Sequence, residues 1–142
     1  MRSRIGLLVV ALALSACSQM PMQKEASLYD RLGGKPAITA VVDDFIGNVA
    51  ADKRINARFA GANIPRLKQM LVDQICAASG GPCTYTGRDM LSAHRGMNIS
   101  EGEFNALVGD LVRSLDKFKV PEKEKGELLS ALGGMKSDIV GR

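Results

Sequence analysis

The sequence predicts an all-α fold, and three observations support this prediction. Apolar residues recur at helical spacing in four long stretches, helix-capping residues precede several of them, and no stretch alternates as a β-strand would. The chain has 142 residues, of which 46% are hydrophobic and 24% charged, which is usual for one globular domain. Aromatic residues make up only 4%, so aliphatic and methionine side chains must form the core.

The N-terminal segment, residues 1–16, has the features of an export signal. Two arginines precede an apolar run at residues 5–14, which is shorter than the roughly 20 residues of a membrane-spanning helix. The next segment, Leu14-Ser15-Ala16-Cys17, resembles a bacterial lipobox. This resemblance implies cleavage before Cys17, lipidation of its thiol and a tether at residues 17–26. An ordinary secretory signal with a coincidental cysteine is the alternative.

Export determines the environment that we expect for the mature chain. Ser18, rather than an aspartate, follows the cysteine, so the lipoprotein resemblance implies an anchor on the periplasmic side, in the outer membrane. Disulfides persist in such a compartment. Cys76 and Cys83 are separated by a chain-reversing Gly80-Gly81-Pro82 segment, which favours a bridge over two unpaired thiols. The net charge of +4, without a basic patch interleaved with aromatics, argues against a nucleic-acid partner.

The globular domain, residues 27–142, is predicted to begin with two helices. Ser27 and Asp30 resemble a capping box that opens a short helix, and Gly33-Gly34 ends it. A long helix follows from Pro36. Its apolar residues share one face; they are Ile38, Val41, Val42, Phe45, Ile46 and Val49.

A third long helix is predicted between Asn63, a candidate N-cap, and the glycine pair at Gly80. Pro65 lies in its first turn, where the missing N–H costs little. The stripe that we expect to face inward contains one polar residue, a glutamine. The stripe comprises Leu67, Met70, Leu71, Gln74, Ile75 and Ala78.

Three more helices complete the predicted domain. A short helix from about Arg88 places Met90 and His94 on one face, four residues apart. Ser100 and Glu103 form a capping box for the next helix, whose expected inward residues are Phe104, Leu107, Val108, Leu111, Val112, Leu115 and Phe118. The last helix starts at Pro121, is weakened midway by Gly133-Gly134, and should bury Leu128, Leu129, Leu132, Met135, Ile139 and Val140.

His94 is the only histidine in the sequence and the main candidate for site chemistry. A serine hydrolase site is unsupported because no Gly-x-Ser-x-Gly motif is present. A structural zinc site usually takes four Cys or His ligands, and no P-loop or dinucleotide fingerprint occurs. One histidine suffices as the proximal ligand of a haem iron. On the residues alone, a purely structural role for His94 remains an open alternative.

Several short segments occur around His94 in a specific order and spacing. They are Leu28-Tyr29-Asp30-Arg31-Leu32-Gly33-Gly34, Val41-Val42-Asp43-Asp44-Phe45, Asp52-Lys53-Arg54-Ile55, Phe59-Ala60-Gly61, Gly80-Gly81-Pro82, Tyr85-Thr86-Gly87 and Met90 before His94. Together they resemble the group I truncated haemoglobins over nearly all of the mature chain. The resemblance implies a compact two-over-two helical globin with haem b, in which His94 is the proximal iron ligand and Phe59 packs on the haem face.

The resemblance also implies a function and a set of pocket residues. We expect reversible binding of O₂, NO or CO by a protein held at a membrane through Cys17, with any redox partner unidentified. We expect that the protein is not primarily an enzyme, with a minor NO dioxygenase or peroxidase-type activity as the alternative. Lys68 and Arg88 are candidates for the haem propionates, with solvated helix charges as the alternative. The remaining residues expected at the haem are Phe45, Ile46, Leu67, Met70, Leu71, Gln74, Tyr85 and Met90.

The distal side departs from the pattern of the family. Many members have a tyrosine where this chain has Ile46 and a glutamine where it has Leu71, so the usual hydrogen bonds to bound O₂ are missing. Such a bond to a polarised group contributes roughly 1.5–3 kcal/mol, or about ten- to a hundredfold in affinity. Gln74 is a candidate substitute donor. Alternatively, Met70 ligates the iron in a six-coordinate electron-transfer protein, or the chain is a haem-free helical lipoprotein that serves as an interaction module.

Overall fold

A computed structural model describes residues 25–142, and its architecture confirms the predicted all-α fold. The described helices are α1 Leu28–Arg31, α2 Gly34–Ala51, α3 Ile64–Ala78, α4 Met90–His94, α5 Glu101–Lys117 and α6 Glu122–Gly133, with 3₁₀ turns at Asn56–Phe59 and Lys136–Asp138. The predicted export signal, the lipidation site Cys17 and most of the tether lie outside the described residues. Between residues 25 and 142, no helix combines the length and apolar character needed to cross a membrane.

Local capping determines where three of these helices begin. The hydroxyl of Ser27 accepts a hydrogen bond from the Asp30 amide at 3.1 Å, and Asp30 returns the bond in a capping box that opens α1. Ser100 and Glu103 form the same motif at the start of α5. The Asn63 side chain accepts from the Arg66 amide at 3.0 Å, with a proline in the first turn of α3. These three predicted starts are confirmed.

Helix α2 forms the centre of the core because it packs along both α3 and α5, while α3 also contacts α6. The α2–α3 pair therefore contacts α5 through α2 and α6 through α3, as the predicted two-over-two arrangement requires. All six apolar residues that the sequence placed on the inner face of α2 are buried. Val42, Leu115 and Leu128 are 0%, 1% and 2% exposed and belong to one buried cluster, to which α2, α5 and α6 all contribute.

Helix α3 buries a different face from the predicted one. Its fully buried residues are Val72, Ile75 and Cys76, whereas most of the predicted stripe is half-buried and Ala78 is exposed. Successive helical residues are rotated by roughly 100°, so the buried face lies beside the predicted stripe and shares only Ile75 with it. The helix thus has two apolar faces: one packs on α2, and the other is incompletely covered by protein.

Helix α5 buries two polar residues that the sequence did not single out. Ser114 donates a hydrogen bond to an Asp44 oxygen of α2 at 2.9 Å and accepts one from Asn48 at 2.8 Å. Asp110 is fully buried and pairs with Arg113, but its Oδ2 finds no hydrogen-bond partner among the described residues. Desolvation by burial accordingly raises the pKa of Asp110 above its ordinary value.

Two details at the C-terminal ends of helices correct the predictions. Phe118 is 44% exposed, since it is the C-cap residue of α5 and no longer faces the core. The last helix stops at Gly133 rather than continuing to Val140. The chain beyond it forms the second 3₁₀ turn and a single parallel bridge, in which the Gly141 amide donates to the Ile99 carbonyl at 2.9 Å. This bridge holds the C-terminus beside the segment that follows α4.

Candidate functional site

A small open cavity of about 80 Å³ lies between the first 3₁₀ turn, α4 and the start of α5. His94 lines it together with the charged residues Arg58 and Glu103. The other lining residues are apolar: Ile55, Phe59, Met97, Ile99, Phe104, Leu107 and Ile139. The structure thus brings the predicted pair His94 and Phe59 together at one cavity.

The orientation of His94 follows from the short helix that it ends. Asp89 caps α4 by accepting a hydrogen bond from the Ser92 amide at 2.8 Å, and that bond lowers the pKa of the Asp89 carboxyl. One turn later, Nδ1 of His94 lies 2.8 Å from the carbonyl oxygen of Met90. A carbonyl can only accept, so Nδ1 carries the hydrogen in this pair. This confirms the prediction of a backbone acceptor four residues before the histidine.

The hydrogen bond to Met90 determines what the ring can do chemically. A neutral imidazole with a hydrogen on Nδ1 has its free lone pair on Nε2, the nitrogen that is left for a metal. Ligating histidines usually donate their other N–H to a carbonyl or carboxylate, which orients the ring and raises its basicity. His94 in a largely apolar cavity is therefore arranged to bind a metal through Nε2 as a single protein ligand.

The predicted distal residues lie on neighbouring helices rather than in the cavity lining. Leu67, Met70 and Leu71 are on the half-buried face of α3. On α2, Phe45 and Ile46 are buried in the core, at 6% and 8% exposure. The structure leaves their roles toward a ligand as predictions.

Gln74 connects the α3 face to the helix that carries His94. Its amide nitrogen lies 3.4 Å from the sulfur of Met90 and 3.3 Å from that of Met135. Thioethers are weak acceptors, so this amide is available to a better one. The contact brings two predicted pocket residues, Gln74 and Met90, to the same place and shows that the α3 face is directed toward α4.

The predicted propionate ligands differ in their surroundings. Lys68 forms an ion pair with Asp43 of α2, with Nζ 2.8 Å from the carboxylate, whereas Arg88 is exposed on the loop before α4. Tyr85 stabilises that loop because its hydroxyl donates to the Arg88 carbonyl at 2.8 Å. A side chain at position 87 would meet this ring, since a Cβ there would lie 2.3 Å from the Tyr85 hydroxyl. Any side chain at position 87 would therefore have to displace the Tyr85 ring.

Cys76 and Cys83 lie close together in space, with their sulfurs 2.01 Å apart and their Cα atoms 5.7 Å apart. Cys76 is fully buried at the end of α3, and Cys83 lies on the loop that leads to α4. The predicted bridge would connect the end of α3 to the loop that leads to α4.

Sequence reasoning missed several residues that line the cavity. Phe104 and Leu107 were placed in the α5 core stripe, and Ile139 in a helix that does not extend that far. Arg58 and Glu103 were not considered for the site at all. The one available signal was position: Arg58 precedes Phe59, and Glu103 belongs to a capping box shortly after His94.

Comparison with known proteins places this geometry in a family. Residues 27–140 match the family model described as bacterial-like globin. A group 1 truncated haemoglobin of Mycolicibacterium paratuberculosis is 38% identical over 114 residues, which cover 80% of this chain and 84% of that protein. A group 1 truncated haemoglobin of Tetrahymena thermophila is 30% identical over 121 residues, covering 85% and 100% of the two chains.

Solved structures agree with the sequence comparison. The truncated haemoglobin of Tetrahymena pyriformis, in its Fe(III) form, superposes with a TM-score of 0.79 at 28% identity and covers 82% of this chain and all of that one. The 2/2 haemoglobin of a Synechococcus species, described in the cyanomet state with covalently attached haem, gives a TM-score of 0.77 at 31% identity with the same coverage. The chain therefore belongs to the bacterial-like globin family, among the group 1 truncated haemoglobins.

Proposed function

We propose that the protein is a haem-binding globin that reversibly binds O₂ or another diatomic gas, NO or CO, at an iron ligated by His94. The observation that carries this proposal is the His94 imidazole, whose Nδ1 is held by the Met90 carbonyl at the edge of an apolar cavity beside Phe59. The relatives of this chain are named as haemoglobins, and the Synechococcus structure is described with haem.

The residues present fit a haem group. One imidazole with a free Nε2 is the donor that a haem iron takes from a globin. The cavity beside it is lined mainly by aliphatic and aromatic side chains, as a porphyrin face requires. The α3 face that bears Leu67, Met70 and Leu71 is only half-buried, so a flat apolar group between α3 and α4 would complete its burial.

Bound haem would supply an iron that can take a diatomic gas. His94 would hold that iron through Nε2, with its ring oriented by the Met90 carbonyl. Phe59, Phe104 and Leu107 line the cavity beside His94 and would keep water from the site. We propose that Lys68 and Arg88 contact the propionates from the rim.

We propose that bound gas meets a mostly apolar distal wall formed by α2 and α3. Ile46 and Leu71 have no hydrogen-bond donor, so the strong hydrogen bonds of a tight O₂ carrier are missing. Gln74 is the exception, and within residues 25–142 its amide nitrogen contacts two thioether sulfurs, which are weak acceptors. Weakly retained O₂ that exchanges rapidly is the behaviour that this wall supports.

Adding a donor at Leu71 tests this account. We expect Leu71→Gln to slow O₂ dissociation about ten- to a hundredfold, because one hydrogen bond to a polarised ligand contributes roughly 1.5–3 kcal/mol. The measurement is stopped-flow release of O₂ from the ferrous protein. Leu71→Met is the matched control, since it keeps the volume without a donor and should release O₂ at nearly the wild-type rate. Equal O₂ dissociation rates in Leu71→Gln and Leu71→Met would show that Leu71 does not lie beside bound O₂.

We also propose that the mature protein is exported, lipid-anchored through Cys17 on the periplasmic side of the outer membrane, and cross-linked between Cys76 and Cys83. The lipobox-like segment and the close approach of the two sulfurs support these proposals. Intact-mass analysis of detergent-extracted protein should show loss of residues 1–16 and addition of lipid. Alkylation before and after reduction should label two more thiols only after reduction. A mature mass without lipid, or free thiols before reduction, would contradict the respective proposal.

A further inference from the structure

Arg58 lies at the point where three parts of the haem cavity meet. Its Nε and Nη2 donate to the two carboxylate oxygens of Glu103, at 2.7 and 3.2 Å, and its Nη1 donates to the carbonyl of Met97 at 3.0 Å. Arg58 belongs to the 3₁₀ turn, Met97 follows α4, and Glu103 is in the first turn of α5. A bidentate pair with a third bond has a defined geometry, which a lysine ammonium does not reproduce.

These bonds lie one step away from the two residues that would contact haem from this side, His94 and Phe59. The Met97 amide donates to the His94 carbonyl at 3.0 Å, so the segment held by Arg58 is the turn that ends α4. Phe59 follows Arg58 in the chain. One guanidinium, on a side chain that is 37% exposed, therefore joins the turn after His94 to the start of α5, and Phe59 is the next residue in the chain.

Glu103 is suited to hold this arginine in one position. Its Oε2 also accepts from the amide and the hydroxyl of Ser100, both at 2.9 Å, within the α5 capping box. The bonds from Arg58 and Ser100 lower the pKa of Glu103 to about 2, so it is ionised throughout the neutral range. The carboxylate is thus fixed by α5 and forms a rigid support for Arg58.

We propose that Arg58 is a positioning residue that acts through Met97 to hold His94 at a fixed distance and angle from the haem iron, with Glu103 as its support. This inference rests on the proposed haem function. It assigns a role in proximal ligation to a residue that touches neither the iron nor the gas. Loss of the arginine should therefore alter the iron–histidine bond and the retention of haem while the helices stay folded.

The test compares Arg58→Gln with Arg58→Lys and with Glu103→Gln, which retains a residue compatible with the capping box. We expect haem to dissociate about tenfold faster from Arg58→Gln, in line with the roughly 10–100-fold effect of partners that orient a metal ligand. The iron–histidine stretching band in the resonance Raman spectrum of the ferrous protein should shift. Glu103→Gln should change the haem dissociation rate and the Raman band in the same direction as Arg58→Gln. Arg58→Lys should give values between those of Arg58→Gln and the wild type.

Arg54→Gln is the matched control. Arg54, four residues before Arg58, makes a similar bidentate pair with Asp52, and it does not line the cavity. Its loss should leave the Raman band and the haem dissociation rate unchanged. The same rate and band in Arg58→Gln as in wild type would overturn the inference, as would equal effects of Arg54→Gln and Arg58→Gln.

A haem-independent measurement separates this inference from the proposed function. In the haem-free chain, amide hydrogen exchange at Met97 should be faster in Arg58→Gln than in wild type or Arg54→Gln, because the turn after His94 has lost its anchor. If the wild type retains no haem, the proposed function fails and the exchange result alone decides whether Arg58 holds this turn. If the wild type retains haem and exchange at Met97 is unaffected, the role of Arg58 fails by itself.

Discussion

Replacing His94 with alanine should abolish stable haem retention in the purified protein. His94 is the only histidine in the chain, and its ring is already oriented for ligation by the Met90 carbonyl at 2.8 Å. Loss of a residue that merely orients a ligand costs about 10–100-fold in metal affinity, so loss of the ligand itself should cost more than that. The measurement is the Soret absorbance that remains after gel filtration of protein reconstituted with excess haem.

His94→Gly gives the matching rescue experiment. The cavity left by the side chain admits imidazole from solution, so millimolar imidazole should restore a proximal ligand and the Soret band in His94→Gly. Circular dichroism of the two haem-free variants should match that of the haem-free wild type, because the imidazole is at the end of a short helix and outside the main core. Haem that stays bound and six-coordinate in His94→Ala would refute the proximal assignment.

The features that sequence analysis predicted correctly are those determined by local chemistry. The capping residues Ser27, Asn63 and Ser100 each engage a backbone amide within their own segment, so the helix starts could be identified without the tertiary fold. The backbone acceptor for His94 lies one helical turn away and is equally local. The two-over-two arrangement and the haem came instead from the resemblance to a family.

The incorrect predictions concern helices whose environment depends on distant parts of the chain. The stripe on α3 was expected to be the buried face, but helical periodicity cannot distinguish packing against α2 from packing against a cofactor. Asp110 and Ser114 were overlooked because polar residues are not expected inside; Ser114 is buried with bonds to α2 partners 66 and 70 residues away. Arg58 joins residues 39 and 45 positions further along, which no local pattern reveals.

The half-buried face of α3 gives the misassignment a functional meaning. A helix with apolar residues on two adjacent faces is either wholly buried by protein or partly covered by something else. In this chain one face is covered by α2, and from the other face Gln74 contacts Met90 of α4 and Met135, which follows α6. Under the proposed haem function, the predicted stripe is the side of α3 that would face the cofactor, and the structure shows that the adjacent side packs in the core.

Leu115→Ala should destabilise the fold without changing the character of the haem site. Leu115 is 1% exposed and does not line the cavity at His94, so its truncation should lower the free energy of unfolding by about 2–5 kcal/mol. That is a large share of the roughly 5–15 kcal/mol that holds a typical domain together. Urea denaturation of the haem-free protein, followed by circular dichroism, measures the change.

Phe118→Ala is the control on the same helix, since Phe118 is 44% exposed and its truncation should shift the free energy of unfolding by no more than about 0.5 kcal/mol. Haem binds only the folded state, so adding it should raise the unfolding midpoint of Leu115→Ala by mass action. The Soret spectrum should then equal that of the wild type. His94→Ala should show the reverse, with a stable haem-free fold and no Soret band. An altered spectrum in haem-loaded Leu115→Ala would mean that the core of α2, α5 and α6 determines the iron environment and does not merely support it.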